Sequence, residues 1–137
     1  MKKTFILILA FCTTILCGQT TTDSTKTLED GTIVHLKVDK KADYPGGMGE
    51  MAKFIQHNLS TENIKKRKVD GTVFLKFVIL PDGTVSNLIV LKGIEKCEEC
   101  DNEALRLIKL IPKWEPAQIN GKPVASYFNF PLKLKIK

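Results

Sequence analysis

The last eleven residues of the chain alternate between large apolar side chains and mostly polar ones. The apolar side chains occupy every second position, at Phe128, Phe130, Leu132, Leu134 and Ile136. The side chains between them include Tyr127, Asn129, Lys133, Lys135 and Lys137. This period of two predicts a long strand with one buried face. Because Pro131 lies inside the run and has no N–H to donate, we predict that the strand keeps at least one free edge.

Two further runs of β-branched and apolar residues, at 72–80 and 84–91, are joined by Pro81-Asp82-Gly83. Proline presets φ at the first turn position, and glycine accepts the positive φ that closes a bulged turn. The two runs are therefore predicted to form a β-hairpin.

Apolar residues at helical spacing predict two helices. The first spans residues 47–58 and places Met48 and Met51 on its buried face. The second spans residues 101–111, with Asp101 as its capping residue. Each helix has one apolar face, so both are expected to pack on the sheet.

A third, shorter helix fits the segment that begins at Ser60 and ends in the basic residues 65–68. Together these elements predict an α+β fold. In it, a small antiparallel sheet, made of the hairpin and the long C-terminal strand, packs against two to three helices.

The first 18 residues have the pattern of an export signal. Lys2 and Lys3 precede an apolar run at 5–16, and Gly18 offers a small residue for cleavage. The run is shorter than the roughly 20 residues that span a bilayer as a helix, so an inner-membrane anchor facing the periplasm is the alternative. We predict an exported, periplasmic protein with a cleaved signal peptide at 1–18, a polar tether at 19–31 and one domain at 32–137.

The charge balance gives little support to nucleic-acid binding. The chain has 21 Lys and Arg residues against 15 Asp and Glu residues, a net charge of +6. Without Lys2 and Lys3 the basic residues fall to 19 and the net charge to +4. That excess is too small to indicate a nucleic-acid surface.

The segment Cys97-Glu98-Glu99-Cys100 is the sharpest chemical motif. Because disulfides persist in exported proteins, we predict that Cys97 and Cys100 form a structural disulfide. An exported thiol–disulfide protein is the alternative, since a redox pair of this spacing also stands between a strand and a helix. The two acidic residues between the cysteines disfavour the thiolate that such exchange requires.

No catalytic or metal-binding motif is present in the sequence after the predicted signal. His35 and His57 form no ligand-spaced pair with another residue. The sequence also lacks a GxSxG elbow, an HExxH motif, a P-loop and a dinucleotide fingerprint. We therefore predict a protein that is not an enzyme and uses no cofactor, metal or small-molecule substrate. A long exposed strand is suited to binding an extended segment of another protein by strand addition.

Four segments stand in a characteristic order. Tyr44-Pro45-Gly46-Gly47 precedes the hairpin at 71–91, with its Pro-Asp-Gly turn. The helix beginning at Asp101 is followed by Trp114-Glu115-Pro116, and Asn120-Gly121 leads to the closing strand. In this order and spacing, residues 44–136 resemble the TonB C-terminal domain family.

The resemblance implies a function in transport across the outer membrane. Members of that family pair their C-terminal strand with a short extended segment, the TonB box, of an outer-membrane TonB-dependent transporter. Proton-motive-force motor proteins of the inner membrane are a second class of partner. On this chain the resemblance places the partner-binding residues on the last strand, at Ser126, Tyr127, Phe128, Asn129, Phe130, Leu132, Lys133 and Lys135.

Three departures limit the resemblance. Two of them, the short tether and a short N-terminal apolar run without a membrane-embedded polar residue, favour a binding module over an energy transducer. Leu59-Ser60 stands where the family has Tyr-Pro. The tether at 19–31 reaches about 45 Å when fully extended, whereas the family has a long Pro-rich spacer. We predict a periplasmic module that takes part in or modulates transmembrane transport. A membrane-anchored transducer is the alternative if the signal is retained.

Residues 32–38 alternate between apolar and polar side chains but have no assigned neighbour. We expect this segment to lie on the free edge of the C-terminal strand, where it would have to leave before a partner could bind.

Overall fold

The computed structural model describes residues 24–64 and 67–137. The predicted signal peptide at 1–18 and the first part of the predicted tether lie outside these residues. In the described part of the chain, no helix has both the length and the hydropathy needed to span a membrane.

The fold is α+β, as predicted. In chain order the elements are β1 (Thr25–Thr27), β2 (Ile33–His35), α1 (Met48–Asn58), a 3₁₀ turn (Glu62–Ile64), β3 (Val69–Ile79), β4 (Val85–Lys92), α2 (Glu98–Leu110), β5 (Ala117–Ile119) and β6 (Lys122–Ile136). These strands form one sheet in the order β1-β2-β6-β3-β4, and β5 pairs with β6. The sheet is mixed rather than purely antiparallel, because β2 runs parallel to β6. The long connection between these two strands, which contains both helices, is what parallel neighbours require.

The two longest strands, β3 and β6, form the centre of the sheet. They pair antiparallel in an unbroken register from Val69 opposite Ile136 to Ile79 opposite Ser126. The apolar stripe of β6 faces the helices as predicted: Phe130, Leu132 and Leu134 are buried, and Phe128 and Ile136 are half-buried against the same core. The opposite side of the sheet is called the outer face below.

Helix α1 begins close to its predicted start, after Gly47. Met51 and Ile55 are buried, but Met48 is 48% exposed, so the prediction for Met48 was wrong. A residue in the first helical turn can point past the end of the sheet even when its spacing matches the buried face. The predicted short helix after Ser60 is a single 3₁₀ turn in the described residues.

Helix α2 begins at Glu98, three residues before the predicted cap. Cys97 occupies the N-cap position. The Asp101 carboxylate instead accepts a hydrogen bond from the Ile94 backbone N–H, at 3.1 Å between the nitrogen and Oδ1. Asp101 therefore ties the loop after β4 to the first turns of α2.

The N-terminal hairpin of β1 and β2 was not expected from composition. Strand β1 lies inside the predicted tether at 19–31 and pairs antiparallel with β2. Threonine favours extended backbone, which accounts for a strand in a polar segment. The hairpin closes a second, smaller core in which Val34 packs with Val78 and Ala125.

The turn between β3 and β4 is held against the segment after α2. Gly83 has φ +85° and is buried. Its carbonyl accepts a hydrogen bond from the Trp114 backbone N–H at 2.8 Å. The Trp114 ring packs on Phe77 and Phe128, with ring centroids 5.3 Å and 4.9 Å away. This contact joins the hairpin turn to the main core.

Candidate partner-binding site

One side of β6 is open over most of its length. Strand β5 pairs with β6 as far as Val124, and β2 pairs with it at Ala125 and Ser126. From Tyr127 to Ile136, β3 is the one strand in the described part of the chain that pairs with β6. We call the unpaired side of residues 127–135 the free edge.

Pro131 indicates which residues offer their backbone to the free edge. It sits in the unbroken register opposite Phe74. In an antiparallel ladder, hydrogen-bonded residue pairs alternate with pairs that share no hydrogen bond. Because proline has no N–H, Pro131 fits a pair of the second kind, in which the backbone groups of the β6 residue point away from β3. Backbone direction alternates along a strand, so the N–H and C=O groups of Tyr127, Asn129 and Lys133 point to the free edge as well. Those of Phe130 and Leu132 are used by β3.

The side chains of the predicted partner-binding residues fall into two groups. Asn129, Lys133 and Lys135 are exposed. Tyr127 is half-buried, with the Lys76 ammonium 4.3 Å from its ring centroid.

The remaining predicted residues point into the fold. Phe130 and Leu132 are 7% and 3% exposed and belong to the main core. Phe128 stacks on Phe77 at 5.5 Å. Ser126 is buried, opposite Ile79 and His35. These four side chains fix the position of β6, whereas the exposed group can contact a partner.

The N-terminal hairpin pairs with β6 directly before the free edge. Val34 and His35 lie opposite Ala125 and Ser126, so the expectation that residues 32–38 lie along the C-terminal strand is confirmed at these two positions. Pairing stops there. In the described residues, β2 thus leaves the free edge of β6, from Tyr127 onward, without a pairing strand.

A cleft of about 400 Å³ opens where β2 leaves β6. Its walls are His35, Leu36, Val38, Lys41 and Ala42 on one side and residues 126–129 on the other. The sequence does not predict this cleft, because its two walls are more than 80 residues apart in the chain and share no local pattern. It adjoins the first part of the free edge and can take a side chain of a segment that pairs there.

Ser60, part of the Leu59-Ser60 departure, contacts an ion pair in which Glu103 is buried and Arg106 is half-buried. The Glu103 carboxylate accepts hydrogen bonds from the Ser60 N–H and from Arg106 Nε, both at 2.8 Å. Arg106 also donates to the Asn58 carbonyl at 2.6 Å. The hydrogen bond to Glu103 raises the pKa of Arg106 above its ordinary value. The pair therefore fastens the end of α1 to α2.

The Cys97–Cys100 disulfide is formed. The two residues are 4% and 0% exposed and belong to the main core. In the described part of the chain, no three His, Cys, Asp or Glu side chains are grouped so that they could hold a metal ion.

Burial of both sulfurs makes a testable prediction about this disulfide. Iodoacetamide should label neither Cys97 nor Cys100 in the folded protein without reductant, because it alkylates free thiols and both sulfurs are in the disulfide. Glutathione should leave the bond intact in the folded protein, because an attacking thiolate cannot reach a buried sulfur. Denaturation with reductant should expose both to labelling, which serves as the control. Peptide mass spectrometry measures each outcome. Rapid exchange with glutathione in the folded state would contradict a purely structural role.

The sequence of the chain matches a known protein family. The family model described as Gram-negative bacterial TonB protein C-terminal matches residues 62–136. The chain belongs to this family. It is also similar to the NMR solution structure of the Helicobacter pylori TonB C-terminal domain, with 24% identity over 68% of this chain and 87% of that chain and a TM-score of 0.41. No curated protein matches the chain significantly.

The TonB C-terminal match includes the central strands, α2 and β6. It begins after α1 and the N-terminal hairpin. Family membership implies a TonB-like, transport-related protein interaction in the cell envelope. The hairpin that pairs with β6 directly before the free edge lies outside the matched region.

Proposed function

We propose that the chain is a periplasmic, non-enzymatic binding module that pairs the free edge of β6 with an extended segment of an outer-membrane TonB-dependent transporter. In doing so it takes part in transport or modulates it by competing for the same segments. One observation carries the proposal: β6 has backbone groups from Tyr127 to Lys135 that no strand of the described chain uses. A TonB C-terminal domain with such an edge is suited to strand addition.

Main-chain hydrogen bonds would supply much of this contact, so the side-chain requirements on the partner are loose. Lys133 and Lys135 are exposed beside the free edge. Their charge favours a partner segment with carboxylates and speeds its encounter at low salt. The adjacent cleft favours a partner with one side chain large enough to enter it.

Thiol–disulfide exchange has no comparable support. A catalytic pair needs a thiolate that substrate can reach, whereas Cys97 and Cys100 are both buried.

The proposal is tested by capture from envelope extract. The chain is immobilised beside a variant in which Asn129 and Lys133 are both proline, and the bound proteins are quantified by mass spectrometry. TonB-dependent transporters should be enriched on the wild type and not on the variant. Equal capture by both proteins, or capture of no transporter, would contradict the proposal.

Because β2 pairs with β6 directly before the free edge, we predict that release of the N-terminal hairpin increases the affinity for a partner segment. Val34 is fully buried in the second core. Val34→Asp should detach the hairpin, because an unpaired carboxylate is costly to bury and is solvated only when the hairpin leaves the sheet. Binding of a captured transporter segment should tighten roughly fivefold, or about 1 kcal/mol, by calorimetry. Ile33→Asp, at a neighbouring position that is 55% exposed, is the matched control. Unchanged affinity with Val34→Asp would show that the hairpin does not restrict the edge.

A further inference from the structure

Among residues 24–64 and 67–137, those that cover the outer face of the sheet do so at one end only. There the N-terminal hairpin packs on it and buries Val34. At the other end Phe74, Ile89 and Leu91 are 43%, 50% and 57% exposed. Three large apolar side chains on neighbouring strands therefore face solvent in the described structure. On monomeric proteins, a contiguous exposed apolar patch commonly marks a site that binds a partner or a ligand.

The strand register brings these side chains together. Phe74 lies between two core residues of β3, so its side chain points to the outer face. Lys92 lies opposite Phe74 across an irregularity in β4, and Ile89 lies opposite Lys76. On the other side of Phe74 is the exposed Pro131. We define the outer patch as Phe74, Ile89, Leu91 and Pro131.

Lysines border the outer patch on both sides. Lys92 and Lys133 are exposed and Lys76 is half-buried. The acidic side chain of Asp70 stands farther along β3, opposite Lys135. On the sheet, the outer patch thus has an apolar centre and a positively charged border, and acidic side chains stand on the hairpin side, at Glu29 and Asp30, and farther along β3, at Asp70.

At Lys76 and Ile89 the outer patch continues into a cleft of about 640 Å³ beneath the turn of the N-terminal hairpin. The sheet contributes Lys76, Asn87, Ile89 and Tyr127 to its walls. The hairpin contributes Lys26, Thr27 and Leu28 and also the acidic residues Glu29 and Asp30. Apolar groups, donors and acceptors line the same concave space, as in sites that hold a side chain of a ligand.

We infer that the outer patch and this cleft form a second docking surface, which binds a segment of a partner protein with a large apolar side chain flanked by carboxylates. The apolar side chain enters the cleft beside Ile89. The carboxylates pair with Lys76 and Lys92, and the remaining apolar groups of the segment cover Leu91. The concave cleft favours a peptide segment over a lipid surface, which cannot fill it. This surface is separate from the backbone of the free edge and goes beyond the function proposed above.

Peptide selection tests this inference on the full chain. A phage library of random 12-residue peptides is selected on the wild type and counter-selected on Ile89→Thr/Leu91→Thr, since threonine preserves the strand. The selected peptides should combine aromatic or large aliphatic residues with Asp and Glu. They should bind the wild type at least tenfold more tightly than the threonine variant, and also more tightly than Lys76→Glu/Lys92→Glu.

The matched control is Met48→Gln/Leu110→Gln, which removes similarly exposed apolar side chains from the helices and should leave binding unchanged. The glutamate variant tests the same surface if circular dichroism shows that the threonine variant is misfolded. Peptides without acidic residues, or with equal affinity for all variants, would overturn the inference. Two other results would also overturn it, if they depend on Ile89 and Leu91. One is binding of the wild type to phosphatidylglycerol vesicles in place of peptides, and the other is self-association of the wild type, measured by sedimentation.

Discussion

A protein with proline at both Asn129 and Lys133 is expected to remain folded and to bind its extended partner segment roughly a hundredfold more weakly. Both residues direct their backbone to the free edge, so the ladder to β3 keeps its hydrogen bonds. The partner loses two N–H donors, and its carbonyl groups become buried without partners. That loss amounts to about 3 kcal/mol.

Calorimetry with the segment of a captured transporter measures this effect, and circular dichroism checks the fold. Asn129→Thr/Lys133→Thr is the matched control, because it removes the same side chains but keeps both N–H groups. It should lose only the part of the affinity that depends on Lys133 charge. Full binding by a folded proline variant would exclude strand addition at this edge.

Phe130 is unsuitable for the same experiment, although it lies next to Asn129. Its backbone pairs with β3 and its side chain is in the main core. Proline there would unfold the protein and give no information on binding. The alternation along β6 therefore decides which positions report on partner contact.

Gly83→Ala is expected to cost about 3 kcal/mol of the free energy of unfolding. Gly83 has φ +85°, and a Cβ atom there would lie 2.3 Å from the Trp114 backbone oxygen. Because that neighbour is backbone, it cannot rotate away. The turn would have to separate from Trp114, whose ring contacts Phe77 and Phe128.

Urea denaturation followed by fluorescence of Trp114, the one tryptophan of the chain, measures the effect. Gly121→Ala is the matched control. Gly121 has φ +75°, but nothing lies within 4 Å of an added Cβ, so this variant should lose only about 1 kcal/mol for its backbone conformation. Equal losses in the two variants would show that the contact with Trp114 does not matter.

Period and turn chemistry were enough to predict β6, the hairpin of β3 and β4, and the α+β fold. Each of these features is recorded in a short stretch of sequence. The start of α2 was placed three residues late because Asp101 looks like a capping residue, whereas its carboxylate is used by Ile94. A hydrogen bond across seven residues of irregular chain leaves no periodic signal.

The free edge could be anticipated from Pro131, but its surroundings could not. The parallel pairing of β2 involves only Val34 and His35, too few residues to specify a partner by pattern. The two clefts and the outer patch depend on register between strands, which a single sequence does not display. The exposed apolar residues Ile89 and Leu91 look like ordinary strand residues until that register is known.

The small extent of the β2 contact also bears on how the molecule opens. The contact of β2 with β6 consists of two residue pairs and a small core around Val34, whereas β3 pairs with β6 at eleven positions. The hairpin is then expected to dock late during folding and to open first in the native state, while the pairing of β3 with β6 stays intact. Amide protons of Val34 and His35 should exchange with solvent by local opening, and those of Phe130 and Leu132 only by global unfolding. Brief excursions of this kind would expose the whole edge without loss of the fold.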